Sequence, residues 1–187
     1  VNPLTPEALL WKEAQEGDPH ALDHLLRATL PAVLAWCRRL SGPGVDAEQA
    51  AQEVGIVLLR RLHTIGAPEQ LPSWLFSTTR KVLAGQRRKA WLRRWVPGVR
   101  VEDVTPSSPP QVEQRLEAEA VRGVVATLPE DLREVLVLCD LEERPDPEVA
   151  RLLGIPDGTV KSRLRRARAL FRDRARAAGL APDGGGP

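Results

Sequence analysis

Residues 147–164 read Pro147-Glu148-Val149-Ala150-Arg151-Leu152-Leu153-Gly154-Ile155-Pro156-Asp157-Gly158-Thr159-Val160-Lys161-Ser162-Arg163-Leu164. The first part suits a short helix in which Ala150 is small enough for a second helix to approach closely. Gly154 can take the turn that ends it, and Pro156 suits the start of a following helix. The pattern is that of a helix-turn-helix. Val149, Leu153, Ile155, Val160, Leu164 and Ala167 form its expected inner face. Thr159, Lys161, Ser162, Arg163, Arg165 and Arg166 lie on or near the outer surface of the second helix. Such a helix fits the major groove of DNA, where Arg or Lys reaches guanine edges and Ser serves base or phosphate. The bland alternative is a surface hairpin with solvated arginines. The net charge of +7 over residues 158–176 favours groove binding.

Charge is segregated along the whole chain of 187 residues, although its formal net charge is only +2. Residues 1–79 carry a net −3, residues 80–100 a net +8, residues 101–157 a net −9 and residues 158–176 a net +7. Two basic patches therefore alternate with two acidic bodies. Clustered cations attract a polyanion by releasing its condensed counterions, so nucleic acid is the implied partner. Of the 27 basic residues 23 are Arg, which grips phosphate or guanine bidentately where Lys acts as a point charge.

Apolar residues recur at helical spacing in nearly every segment. Leu22, Leu25, Leu26, Val33, Leu34 and Cys37 form one set, and Ala47, Ala50, Ala51, Val54, Val57, Leu58 and Leu62 another. Pro31 is expected to bend or restart the first of these helices, Ser41-Gly42-Pro43-Gly44 to end it, and Asp46 to cap the next. Periodicity collapses over residues 97–110, PGVRVEDVTPSSPP, a composition that reads as an interdomain linker. Beyond it Val112, Leu116, Ala120, Val124 and Leu128 step along one helix until Pro129 breaks it, and Leu132, Val135, Leu136 and Leu141 make the stripe of another. The expected fold is all-α, with two small helical domains, residues 1–95 and 112–178. A flexible Pro-rich linker, residues 96–111, joins them, and a frayed tail occupies residues 179–187.

Several function classes fall away. The longest apolar run, residues 32–37, is far shorter than the ~18 residues of a membrane-spanning helix. The acidic N-terminal segment lacks the basic start and apolar run of a secretory signal, so a cytoplasmic protein with no membrane partner is expected. Cys37 and Cys139 support neither a disulfide framework nor a zinc cluster. His20 and His24 share a helix face but find no third ligand nearby in sequence, which reads as a plain histidine pair rather than a metal site. There is no Gly-rich phosphate loop, Ser/His/Asp set or convergent carboxylate pair. No enzyme activity, cofactor or metal is expected.

Residues 155–168, IPDGTVKSRLRRAR, closely resemble the end of the extracytoplasmic function (ECF) sigma factors of bacterial RNA polymerase. The N-terminal half resembles the same family in Leu9-Leu10, Gly17-Asp18, Ala21-Leu22, in Asp46-Ala47-Glu48-Gln49-Ala50-Ala51-Gln52-Glu53-Val54 and in Trp74-Leu75-Phe76. The resemblance implies a subunit that binds core RNA polymerase, recognises promoter DNA and opens it for initiation. It places core binding on the helix over residues 46–62, with Asp46, Glu48, Gln49, Gln52 and Glu53. It places capture of a flipped −10 base on the loop over residues 63–72, and contact with the melting duplex on the helix over residues 73–94. It implies that the second domain reads the −35 element, that Glu102 and Asp103 of the linker mimic RNA phosphates, and that an anti-sigma protein could hold the chain inactive. The chain departs from the family's usual residues at Gln49, Gly55, Ser77, Lys81 and Arg144-Pro145-Asp146-Pro147.

The melting assignment also has a physical basis of its own. Opening a duplex requires aromatic faces for unstacked bases and cations for the separated strand. Trp74, Phe76 and Trp91 lie in or beside the +8 segment with Arg80, Lys81, Arg87 and Arg88, and Trp74 is the one of these most readily read as core instead. Residues 96–112 reach about 58 Å when extended and about 23 Å as a coil, so reading two elements roughly 70 Å apart needs the linker stretched. Two rival readings are a stand-alone helix-turn-helix regulator, which would bind duplex without polymerase, and a sigma-like adaptor that binds polymerase without melting DNA.

Overall fold

The structure, a computed structural model, describes residues 4–42, 44–95 and 112–180, with side chains for all of these except 91–95 and 112–118. The expected linker, its Glu102 and Asp103, the side chain of Trp91 and residues 181–187 lie outside the described residues.

Four helices build the N-terminal half: α1 Ala8–Glu16, α2 Pro19–Leu40, α3 Ala47–Arg61 and α4 Leu71–Trp95. Local chemistry places their ends. Gly17 closes α1 in the left-handed region at φ 88°, which an L side chain rarely adopts. Asp18 then caps α2 by accepting from the Ala21 N–H at 2.8 Å, and Asp46 caps α3 by accepting from Gln49 N–H at 2.9 Å. Helix α2 runs unbroken through Pro31, where a bend or restart is expected from the sequence. Pro31 and Arg27 both lie on the exposed side of α2, where a carbonyl left without a proline N–H is least costly.

Helices α2, α3 and α4 pack on one another around Leu25, Val33, Trp36, Val54, Leu58, Leu71, Leu75 and Leu83. Gly55 is buried on the α2 side of α3, where an added Cβ would stand 3.2 Å from Leu30 Cδ2. Its role is close helix approach. Two 3-10 turns, Leu62–Thr64 and Pro68–Gln70, connect α3 to α4, and α1 pins the first of them through Gln15 Nε2, which donates to Ile65 O at 2.9 Å.

The C-terminal half contains α5 Val112–Thr127, α6 Glu130–Leu136, a π-helical turn Val137–Leu141, α7 Asp146–Leu153 and α8 Asp157–Ala177. The wider π turn shifts the register, so Val137 and Leu138 are buried while Leu141, expected on the apolar stripe, is exposed. Helices α7 and α8 form the helix-turn-helix. Gly154 turns the chain at φ 66° and Pro156 precedes α8 in extended backbone. Val149, Val160, Leu164 and Ala167 are buried as expected. Leu152 is buried too, while Leu153 and Ile155 are only half-buried.

The two halves touch. Helix α4 packs on α7, and Ser73 Oγ donates to Arg151 O at 3.1 Å. Trp36 Nε1 donates across the junction to Glu142 Oε2 at 3.0 Å, Arg39 pairs with Glu142 Oε1 at 2.7 Å, and the Arg144 guanidinium lies 5.7 Å from the Trp36 ring centroid. No helix among the described residues is long and apolar enough to cross a membrane.

Candidate nucleic-acid interface

On the outer side of α8, Lys161, Ser162, Arg165 and Arg166 are exposed, whereas Thr159 and Arg163 are half-buried. Ser162 Oγ donates to Thr159 O at 3.0 Å, and Arg163 turns inward so that its Nε lies 3.5 Å from Asp131 Oδ2 on α6. Arg168 donates to Asp140 at 2.6 and 2.9 Å, and these bonds raise its pKa. Lys161, Arg165 and Arg166 have no such acidic partner among the described residues. A shallow groove of about 450 Å³ runs beside Lys161 and Arg165, lined also by Asp146, Leu164, Arg168 and Arg172. This side of the helix presents unpaired cations at i, i+4 and i+5, the arrangement that lets one helix meet bases and phosphate together.

A second groove, of about 500 Å³, lies between α3 and α4. Trp74 forms part of its wall with Arg60, Arg61, Lys81 and Lys89, and none of those four cations makes an ion pair among the described residues. Gln86 Nε2 donates to Glu53 Oε2 at 3.2 Å, which ties the groove's acidic residue to its far wall. An indole edged by four free cations is a chemically suitable bed for single-stranded nucleic acid. Arg60, Arg61 and Lys89 are absent from the set expected from sequence. They come together only through the pairing of two helices, which is not visible in either segment alone.

The structure divides the expected melting set. Trp74 is half-buried and lines the groove, Lys81 lies in it, and Arg88 is exposed on the same helix. Phe76 is a correction: it is fully buried, with its ring centroid 5.1 Å from that of Trp36, so it serves the core rather than a DNA-facing surface. Arg80 and Arg87 point away from the groove toward the C-terminal half. Arg80 Nε meets Glu134 Oε1 at 2.5 Å, and Arg87 donates to Glu130 Oε1 at 2.7 Å and to Leu40 O at 3.1 Å.

On α3 and its cap, Asp46, Glu48, Gln49, Gln52 and Glu53 are all exposed. Asp46 is occupied as a cap, and Glu48 pairs with Arg38 at 2.7 Å. Gln49, Gln52 and Glu53 continue along the helix into Ile56 and Leu59, two large apolar residues left 49% and 44% exposed. That stripe is a candidate docking surface with an apolar centre, which the polar residues expected from sequence do not include.

Residues 25–93 match the family described as Sigma-70 region 2, and residues 118–171 match Sigma-70, region 4. The chain is 32% identical over 148 residues to the ECF RNA polymerase sigma factor EcfG of Rhodopseudomonas palustris, covering 76% of this chain and 78% of that one. It is also 32% identical over 165 residues to the ECF RNA polymerase sigma factor SigE of Mycolicibacterium smegmatis. That match covers 84% of this chain but 63% of SigE, so the chain spans a little under two thirds of that relative. The fold is similar to that of the sigma factor RpoE of Bartonella quintana, solved with the anti-sigma factor NepR, with a TM-score of 0.60 and 24% identity over 82% of this chain and 96% of that one. With both helical halves matched in order and 32% of aligned residues shared with EcfG over most of its length, the chain belongs to the ECF sigma factors of the sigma-70 family.

Proposed function

We propose that this chain binds core RNA polymerase in the cytoplasm and directs it to promoters, where it recognises two DNA elements and helps to open the duplex. The observation that carries this reading is the division of labour on one chain. An apolar-centred stripe on α3, a cationic groove edged by Trp74 that adjoins the stripe at Glu53, and a cationic face on α8 are three distinct chemistries on one chain. A regulator that only binds duplex needs the last of them alone.

In this reading residues 1–95 bind core and engage the melted strand. Gln49, Gln52, Glu53, Ile56 and Leu59 dock on polymerase, and Trp74, Lys81 and Arg88 contact DNA with Arg60, Arg61 and Lys89. Residues 112–178 read the −35 element through Lys161, Ser162, Arg165 and Arg166, with Thr159 and Arg163 behind them, and residues 96–111 span the gap. The chain performs no chemistry itself: its contribution is binding energy that favours the opened promoter. An anti-sigma partner is proposed by analogy with the RpoE complex.

The test is run-off transcription from a GC-rich genomic library by bacterial core polymerase, with and without the protein. Discrete new transcripts sharing two spaced upstream elements are expected. Core binding without new starts would move the adaptor reading ahead, and failure to bind core would leave a stand-alone regulator.

A further inference from the structure

Helix α1 reaches across to the first of the two turns that join α3 to α4. Gln15 is half-buried there, and its Nε2 donates to Ile65 O at 2.9 Å and to Leu62 O at 3.3 Å, 50 and 47 positions further along the chain. A side-chain amide carries two N–H groups, so one residue serves both carbonyls. The tie is firm at its own end. Gly17 N–H donates to Ala14 O at 3.1 Å and Asp18 N–H to Glu13 O at 3.0 Å, which fixes the last turn of α1 against the start of α2. Trp11 and Ala14 of α1 are buried, as are Leu62 and Ile65 of the turn. Within the turn Ile65 N–H donates to Leu62 O at 3.1 Å and Thr64 Oγ1 to Arg61 O at 2.7 Å, while His63, Thr64 and Gly66 stay exposed.

This connection carries groove residues at both ends. Arg60 and Arg61 immediately precede it, Trp74 stands in the first turn of α4 beyond it, and all three line the cationic groove, whereas Gln15 does not. We propose that Gln15 is a positioning residue for single-stranded nucleic acid: it meets no nucleotide, but by holding the Leu62 and Ile65 carbonyls it fixes the turn and so sets where Arg60 and Arg61 stand relative to Trp74. Its role rests on the reading of the α3–α4 groove as the bed for the melted strand. Cations and an indole grip a strand together only when their spacing matches that of phosphate and base. Without the tie the turn samples several positions, and a site that is competent for a fraction of the time binds more weakly by that fraction. The phosphates met in the bound complex remain the same in number, so the salt dependence of binding is unaltered. Loss of a cation, by contrast, changes both.

Gln15→Met in the full chain keeps the length of the side chain and removes both donors. Amide hydrogen exchange over residues 62–70 is expected to quicken while exchange in α8 stays as in the parent. Anisotropy with a fluorescein-labelled single-stranded oligonucleotide, titrated at several salt concentrations, is expected to show binding about fivefold weaker with an unchanged salt slope. That is the loss for a turn in the binding arrangement about one-fifth of the time. Arg60→Gln/Arg61→Gln is expected to weaken binding and also to flatten the slope, by about 0.7 for each phosphate contact removed. Parental affinity in Gln15→Met, whether or not exchange quickens, overturns the proposal while the arginine variant still upholds the groove. Weaker binding with a flattened slope, or without faster exchange over residues 62–70, overturns it as well. Parental affinity and slope in the arginine variant would instead remove the groove reading, and the role of Gln15 with it. Should Gln15→Met fail to fold, Gln15→Asn, shorter by one methylene, must give the same faster exchange, weaker binding and unchanged slope.

Discussion

The rings of Trp36 and Phe76 meet edge to face, their centroids 5.1 Å apart and their planes at 84°. Both are completely buried, and the pair joins α2 to α4 directly beneath the surface that meets the C-terminal half. An edge-to-face pair adds about 0.5–1.5 kcal/mol to the burial of its rings. Within the Trp74-Leu75-Phe76 motif, Phe76 is therefore structural, and Trp74 alone borders the groove.

Phe76→Ala is expected to lower the stability of the chain by about 3–5 kcal/mol, the usual cost of emptying a buried aromatic site. Denaturant unfolding followed by circular dichroism measures it. Stability like the parent's together with a selective loss of DNA binding would show that Phe76 works at the surface after all.

Ile56→Glu and Leu59→Glu place charge on the exposed α3 stripe, where both side chains face solvent. Each is expected to weaken binding to core polymerase at least tenfold, or about 1.4 kcal/mol, with little change in melting temperature. A pull-down titration against core polymerase beside a thermal melt distinguishes docking from folding. Unchanged core affinity would move the polymerase-binding surface off this stripe.

Replacing Lys161 and Arg166 with Ala removes two cations of α8 that make no ion pair among the described residues. Weaker recognition of the upstream element is expected, by about 1–3 kcal/mol for each base-reading side chain removed, with core binding intact. The salt dependence of duplex binding should flatten if either side chain meets phosphate instead. Loss of core binding in a folded double variant would contradict the separation of surfaces.

Burial pushes the Glu134 carboxyl up to about 7, from an ordinary 4.5, and Glu130 adds to the rise while Arg80 and Arg133 oppose it. A carboxyl raised in the folded state binds its proton more tightly there than in the unfolded chain. Its contribution to stability is thus fully present below the unfolded value and is lost as pH rises through about 7. Stability to urea should fall between about pH 4.5 and 7 by more in the parent than in Glu134→Gln. Parallel pH profiles for the two would place this titration elsewhere.

Both cysteines should resist alkylation at about pH 8 in the native chain. Burial, aided by Glu48, pushes the Cys37 thiol up to about 12, and burial with Asp146 and Asp140 pushes Cys139 up to about 11. Neither is a thiolate at that pH, and Cys37 is wholly enclosed. Mass spectrometry after iodoacetamide treatment should find Cys37 unmodified until denaturant is added. Rapid native labelling of Cys37 would mean that the junction around Trp36 opens often.

By itself the sequence determined whatever depends on neighbours within a few turns of chain. Helix periods, the Asp18 and Asp46 caps, the left-handed turn at Gly154 and the cationic face of α8 are all set by residues close together along the chain. Only the tertiary structure decided which side of α4 met which partner. Arg80 and Lys81 are adjacent in sequence, yet one lies against Glu134 of the other half and the other borders the groove with Arg60 and Arg61. A helical period says which residues share a face. What covers that face depends on packing between segments far apart in the chain, and both faces of α4 are basic enough to pass for the same one. The π turn at Val137–Leu141 shows the same limit on a smaller scale. One widened turn rotates Leu141 out of a stripe that regular 3.6-residue spacing would have buried.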